Sequence, residues 1–95
     1  MTTSDAVADS VLVELLHVPD CPLVDRVRDM LRACLPMIPR LVQVTERGGN
    51  YPSPTLLVGG IDVVTGAPPQ HVACCRFDLP TRDQILTALH ATTHP

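Results

Sequence analysis

Between Val11 and Leu35 the hydrophobic pattern changes period, from that of a β-strand to that of an α-helix, and the change falls across Asp20-Cys21-Pro22. Upstream, Val11-Leu12-Val13-Glu14-Leu15-Leu16 is apolar and partly β-branched, which predicts a strand over about residues 11–17. Downstream, at about 100° per residue, Leu23, Val24, Val27, Met30, Leu31, Cys34 and Leu35 fall within one arc of roughly 140°. Asp25, Arg26, Arg28, Asp29 and Arg32 fill the other side, with Asp25 and Arg28, and Asp29 and Arg32, at helical contact spacing. The helix is predicted over about 22–35. It opens at Pro22, whose fixed φ and missing N–H suit a first helical position, and stops before Pro36 and Pro39. Arg40 to Glu46 alternates as a second strand, and a right-handed crossover then makes the two strands parallel neighbours.

The rest of the chain adds antiparallel strands and a closing helix to that unit. Thr55-Leu56-Leu57-Val58, Gly59-Gly60 and Ile61-Asp62-Val63-Val64 read as a two-residue hairpin, because a type I′ turn needs positive φ at both central positions and paired glycines supply it. Arg47 to Pro54 and Thr65 to Asp78 are too rich in turn formers for regular structure, and a loop as long as the second favours a functional role. Thr81-Arg82-Asp83-Gln84 has the capping-box pattern and opens a helix that buries Ile85, Leu86 and Leu89. The expectation is a single α/β domain over residues 10–91, of order β-α-β-β-β-α with a mixed four-stranded sheet. Residues 1–9 are expected to be disordered and 92–95 frayed. Ending on a helix separates this order from ferredoxin-like metal carriers, which end on a strand.

Composition narrows the function classes. Phe77 and Tyr51 are the only aromatic residues, so the core must be aliphatic. There is no lysine, and seven arginines against ten acidic residues give a formal net charge of −3, which leaves no basic footprint for nucleic acid. No apolar run approaches the roughly 18 residues that span a bilayer, and Met1 to Ala6 lacks a basic leader, which predicts a cytoplasmic protein with no membrane partner. In that compartment Cys21, Cys34, Cys74 and Cys75 point to reactive thiols, metal ligands or small buried hydrophobes rather than to a disulfide framework.

Cys21 is the leading candidate. At or beside the helix N-cap, unpaired amides and the positive end of the helix dipole favour a thiolate, while Asp20 acts in the opposite direction. Cys34 lies mid-arc among apolar residues and reads as a small hydrophobe. If the second loop folds back over the hairpin, Cys75 becomes a resolving thiol: Cys21 attacks a disulfide and Cys75 releases the product. The alternative is that Cys74 or Cys75 packs beneath the loop.

Strand one, Cys21-Pro22 at the helix start, Ser53-Pro54-Thr55 entering the hairpin and the closing helix together resemble the thioredoxin fold. Glu14-Leu15-Leu16-His17-Val18-Pro19-Asp20-Cys21-Pro22, with Ser53 to Val58 and Cys75-Arg76-Phe77, also resembles a group of small bacterial thioredoxin-like proteins, some labelled alkylmercury lyase-like. The resemblance covers about residues 11–90. It implies a thioredoxin-like sandwich of two or three layers, in which Pro54 is cis and lies against the redox cysteine. Ser53, Pro54 and Pro22 would border the substrate, a thiol or disulfide protein or a small thiol, and no cofactor is implied. Two features depart from the pattern. Val24 stands where C-x-x-C has its second cysteine, so a local disulfide is impossible. The loop after strand two is too short for the helix that thioredoxins place there, which would leave one sheet face poorly covered and open to pairing with a second copy.

Other classes compete with the redox reading. His17, Cys21, His71, Cys74 and Cys75 carry thiolate and imidazole groups suited to Zn²⁺, Cu(I) or Hg²⁺, although their spacing matches no standard zinc motif. The lyase label implies protonolysis of a carbon–mercury bond, with cysteines holding the metal and Asp20, Asp62 or Asp78 giving the proton. An interaction scaffold without chemistry would leave Asp62 and Glu14 as ordinary surface or strand-edge charges and the charges of helix one as a solvated face.

Overall fold

The strand-to-helix switch near the start of the chain is the organising element of the fold. A computed structural model describes residues 10–39 and 41–91. In chain order the elements are β1 (Val11–His17), α1 (Val24–Cys34), β2 (Val42–Gly48), β3 (Pro52–Ser53), β4 (Thr55–Val58), β5 (Ile61–Asp62), β6 (Cys74–Cys75) and α2 (Arg82–Ala91). A 3₁₀ turn over Leu35–Met37 follows α1. The main sheet is mixed, with order β2-β1-β4-β5, and a separate two-stranded ladder joins β3 to β6. β1 and β2 run parallel from Val11↔Val42 to His17↔Gly48, as the crossover rule requires. β4 is antiparallel to both β1 and β5. The expected termini, 1–9 and 92–95, lie outside the described residues.

Strand alternation assigns the two faces of the sheet. Val11, Val13 and Leu15 of β1, with Leu56 and Val58 of β4, face Val24, Val27, Leu31 and Cys34 of α1 and Ile85 and Leu89 of α2, and all are buried. Both helices therefore cover one face and form a single aliphatic core. On the opposite face Leu16, Thr55, Leu57 and Asp62 are also buried. On that side Arg76, from the 65–78 segment, reaches Thr55 and Asp62. Toward β2 the same face is open: Leu12 is 46% exposed, and Gln43, Thr45 and Arg47 lie in solvent. The regular structure thus forms two layers, the sheet and its helices. No helix lies between β2 and β4, in agreement with the short connection in the sequence.

Local chemistry explains where the elements stop. Gly59 and Gly60 have φ of 61° and 85°, the left-handed pair that the hairpin turn demands. β5 is only two residues long rather than four, because Asp62 curls the chain back on itself. Its Oδ1 accepts from the Val64 N–H at 2.9 Å and its carbonyl from the Gly66 N–H at 2.8 Å. The capping box at α2 is reciprocal: Thr81 Oγ1 accepts from the Gln84 N–H at 3.1 Å, and Gln84 Oε1 accepts from the Thr81 N–H at 2.9 Å. On the outer side of α1, Arg28 pairs with Asp25 and donates from Nε and Nη2 to Glu46 of β2, both at 2.8 Å. That side chain is partly buried and ties α1 to the sheet edge, so the charged side of the helix is not uniformly solvated. No described helix is long and apolar enough to cross a membrane.

Candidate thiol site at the end of the first strand

β1 ends at His17, and the chain turns through Val18-Pro19-Asp20 before reaching Cys21. Asp20 takes a φ of 61°, a conformation open to aspartate because its short polar side chain tolerates the left-handed region. The Cys21 carbonyl accepts from the Val24 N–H at 3.4 Å, so Cys21-Pro22-Leu23 forms a turn and not the first turn of the helix. α1 begins at Val24 with Leu23 as its N-cap. This corrects the expectation of a helix opening at Pro22: Cys21 sits two residues ahead of the cap, farther from the helix dipole than the sequence suggested. The residue is half-buried, packed on one side against the core and open on the other, and Pro22 is exposed.

The sheet brings a second segment to the same end. Leu16 lies opposite Thr55 in the β1–β4 ladder, so Pro54, one step further, is level with His17. The Ser53–Pro54 peptide bond is cis, as the resemblance implied, and both residues are buried. The 65–78 segment returns here as β6, parallel to β3, with Pro52↔Cys74 and Ser53↔Cys75 in register, and the Arg76 N–H donates to the Ser53 carbonyl at 2.8 Å. The second loop therefore does fold back over the hairpin, and it lays Cys75 beside the residue that precedes Pro54. Successive strand residues point to opposite sides. Cys74 and Cys75, both exposed, thus lie on opposite faces of the ladder. The Ser53 hydroxyl, on the Cys75 side, is buried and has no hydrogen-bond partner among the described residues.

Other named candidates have structural partners. His17 donates from Nδ1 to the Val18 carbonyl at 3.1 Å, and its Nε2 lies 3.8 Å from Glu46 Oε1. His71 stacks at a tilt on Tyr51, with ring centroids 5.9 Å apart. Cys34 is fully buried with its sulfur 3.9 Å from the Arg82 carbonyl, and burial pushes its thiol pKa up. The sequence expectation of a small hydrophobe agrees with that environment. Among the described residues no three His, Cys, Asp or Glu side chains gather closely enough to hold a metal ion.

The sequence reading missed the centre of the site's support, Arg76. Its guanidinium is buried and donates from Nη1 to Asp62 Oδ2 at 2.7 Å and to Thr55 Oγ1 at 3.1 Å. It also grips Asp78 with two bonds, Nε to Oδ1 at 3.0 Å and Nη2 to Oδ2 at 2.9 Å. Asp62 is therefore not a surface charge; it is buried with its cation. Hydrogen bonding from Arg76 holds the Asp78 carboxyl below the usual carboxylate range and raises the guanidinium pKa further, so this group stays ionised as a pair. Glu14, the other residue read as an ordinary charge, pairs with Arg47 across the β1–β2 edge at 2.5 Å. Nothing periodic marks Arg76. Its one sequence signal is the Arg-x-Asp spacing that permits the two-bond grip.

The fold and site define a mixed α/β domain with one half-exposed thiol at a strand end and two exposed thiols on a loop clamped by a buried arginine. Compared with known proteins, the chain matches no family model, no curated protein and no solved structure.

Proposed function

We propose that this chain is a thioredoxin-like domain that carries out thiol–disulfide exchange with Cys21 as nucleophile and Cys75 as resolving thiol. One observation carries the reading: the turn holding Cys21, the cis Ser53–Pro54 bond and the strand holding Cys75 lie at connected positions around one end of the sheet. The order β2-β1-β4-β5, with a helix after β1 and another closing the chain, supports the thioredoxin-like assignment. In the first step the Cys21 thiolate attacks a disulfide of a protein or small thiol. The substrate S–S bond breaks, a mixed disulfide forms on Cys21, and one substrate sulfur leaves as thiolate and takes up a proton. In the second, the Cys75 thiolate attacks the Cys21 sulfur and releases the other half, leaving a Cys21–Cys75 disulfide that a thiol reductant must open before the next turnover.

The replacement of C-x-x-C by two distant cysteines has a physical consequence. Val24 belongs to the apolar stripe of α1 and is buried, so the helix contributes packing where a dithiol protein would place its second sulfur. The partner must come from the loop, and the Arg76 clamp is what brings that loop to β3. Turnover of a glutathionylated peptide tests the proposal. C21S is expected to abolish product release, and C75S to stop the cycle at a stable mixed disulfide on Cys21. Equal turnover by the parent chain and C21S overturns it.

A further inference from the structure

Beneath the 65–78 segment, on the side of the β3–β6 ladder away from Ser53 and Cys75, lies a cavity of about 290 Å³. Pro52, Asp62, Gln70, Cys74, Arg76 and Asp78 are in its wall. Pro52 and Cys74 are register partners and so share this side, which gives the exposed Cys74 thiol a place separate from that of Cys75.

The wall has a defined charge and one open donor. Asp62 and Asp78 against Arg76 leave it one unit negative, two carboxylates to one guanidinium. The Arg76 side chain is 7% exposed, and its bonds to Asp78, Asp62 and Thr55 use four of its five N–H groups. The fifth, on Nη2, has no protein partner among the described residues. The cavity therefore combines an exposed thiol, a net negative wall that attracts a cation, and a buried guanidinium with one N–H that has no partner among the described residues. Its volume is at the small end of the range for ligand pockets, which suits an aliphatic disulfide of about eight heavy atoms.

We infer that this cavity binds small disulfides bearing an ammonium group and that Cys74 exchanges with them. The Cys74 thiolate attacks one sulfur of the bound disulfide, whose S–S bond breaks as the Cys74–sulfur bond forms. The other half departs as thiolate with the bonding electron pair, accepts from the remaining Arg76 N–H, and is then protonated from water. Cys74 is oxidised to a mixed disulfide and one equivalent of aminothiol is released. This site does not depend on Cys21 or Cys75.

The test uses the C21S/C75S variant of the full chain, in which Cys34 is buried and Cys74 is the remaining exposed thiol. Cystamine, a dication, and dithiodipropionate, its dianionic counterpart, are compared by the rate of adduct formation at Cys74, read by peptide mapping of acid-quenched samples so that Cys34, which is reached on unfolding, is scored separately. Each is run on the folded chain and on the chain in urea, which keeps the same neighbours in sequence but lacks the cavity. The expected result is a cystamine-to-dithiodipropionate rate ratio about fivefold higher in the folded chain than in urea, falling toward the urea value in high salt and in D78N. An equal ratio folded and unfolded, or a folded ratio insensitive to salt, overturns the inference. Because Cys21 and Cys75 are absent, failure here leaves the exchange proposal standing, and failure of that proposal leaves this result intact.

Discussion

Replacing Arg76 by methionine tests the clamp on which the site's geometry rests. The arginine and Asp62 side chains are each 7% exposed and 2.7 Å apart, so the substitution leaves a carboxylate buried without its cation and removes the donor to Thr55 Oγ1. Breaking one side of a buried pair costs about 3–5 kcal/mol, because the remaining charge keeps its desolvation penalty and loses its attraction. Asp78 adds little to this sum, being more than half exposed and able to return to water. Against a total of about 5–15 kcal/mol for a domain, the loss is a large fraction of stability. At roughly 4–8 °C per kcal/mol for a chain of this size, the melting temperature should fall by at least about 12 °C. Urea unfolding followed by far-UV circular dichroism measures the change. The double variant Arg76→Met with Asp62→Asn no longer buries a lone charge and is expected to regain at least about 1 kcal/mol over the single variant. An R76M midpoint within about 1 kcal/mol of the parent, or a double variant less stable than R76M, would refute the argument.

Three further outcomes follow from named groups. Under native conditions alkylation should label Cys74 and Cys75 first, Cys21 more slowly, and Cys34 only on unfolding, since the first two are exposed, the third is half-buried and the fourth is fully enclosed; peptide mapping of a time course reads the order. Gly60→Val should cost about 1–2 kcal/mol in thermal unfolding, for conformational reasons alone, because φ there is 85° and an added Cβ would meet nothing within 4 Å. Hydrogen bonds from Arg76 and Arg28 hold the carboxyls of Asp78 and Glu46 below their ordinary values of 3.8 and 4.5. The stability they contribute is complete above those values and lost as pH falls through the lower folded-state ones, so the urea midpoint should drop below about pH 4 and the D78N/E46Q variant should show a shallower drop.

The parts of this fold that could be read from sequence are those whose signal is local or periodic. The stripe of α1 runs over eleven residues, the Gly59-Gly60 turn needs a backbone that only glycine supplies freely, and Thr81 to Gln84 closes on itself, so each is written within one short window. The start of α1 was misplaced because Cys21-Pro22-Leu23 satisfies the same proline rule as a turn that it would as a helix end. β5 was expected to be twice its length, because Val63 and Val64 have strand propensity and the hydrogen bonds of Asp62 that end the strand are not visible in a pattern of apolar residues. The β3–β6 ladder and the Arg76 clamp were not legible at all. Strands of two residues have no period to detect, and the contacts from Arg76 to Thr55 and Asp62 span 21 and 14 residues of chain. Cys21, Pro54 and Cys75 were singled out by type and position, but only the folded sheet relates them to one another.

Controlled oxidation tests the central claim most directly. The reduced chain is treated with one equivalent of a mild disulfide oxidant at low protein concentration, digested without reduction, and its linked peptides are identified by mass spectrometry. The account predicts an intramolecular Cys21–Cys75 disulfide as the main product, reversed by dithiothreitol. Recovery of Cys21 as free thiol, with oxidation confined to Cys74 and Cys75 or to links between chains, would contradict it.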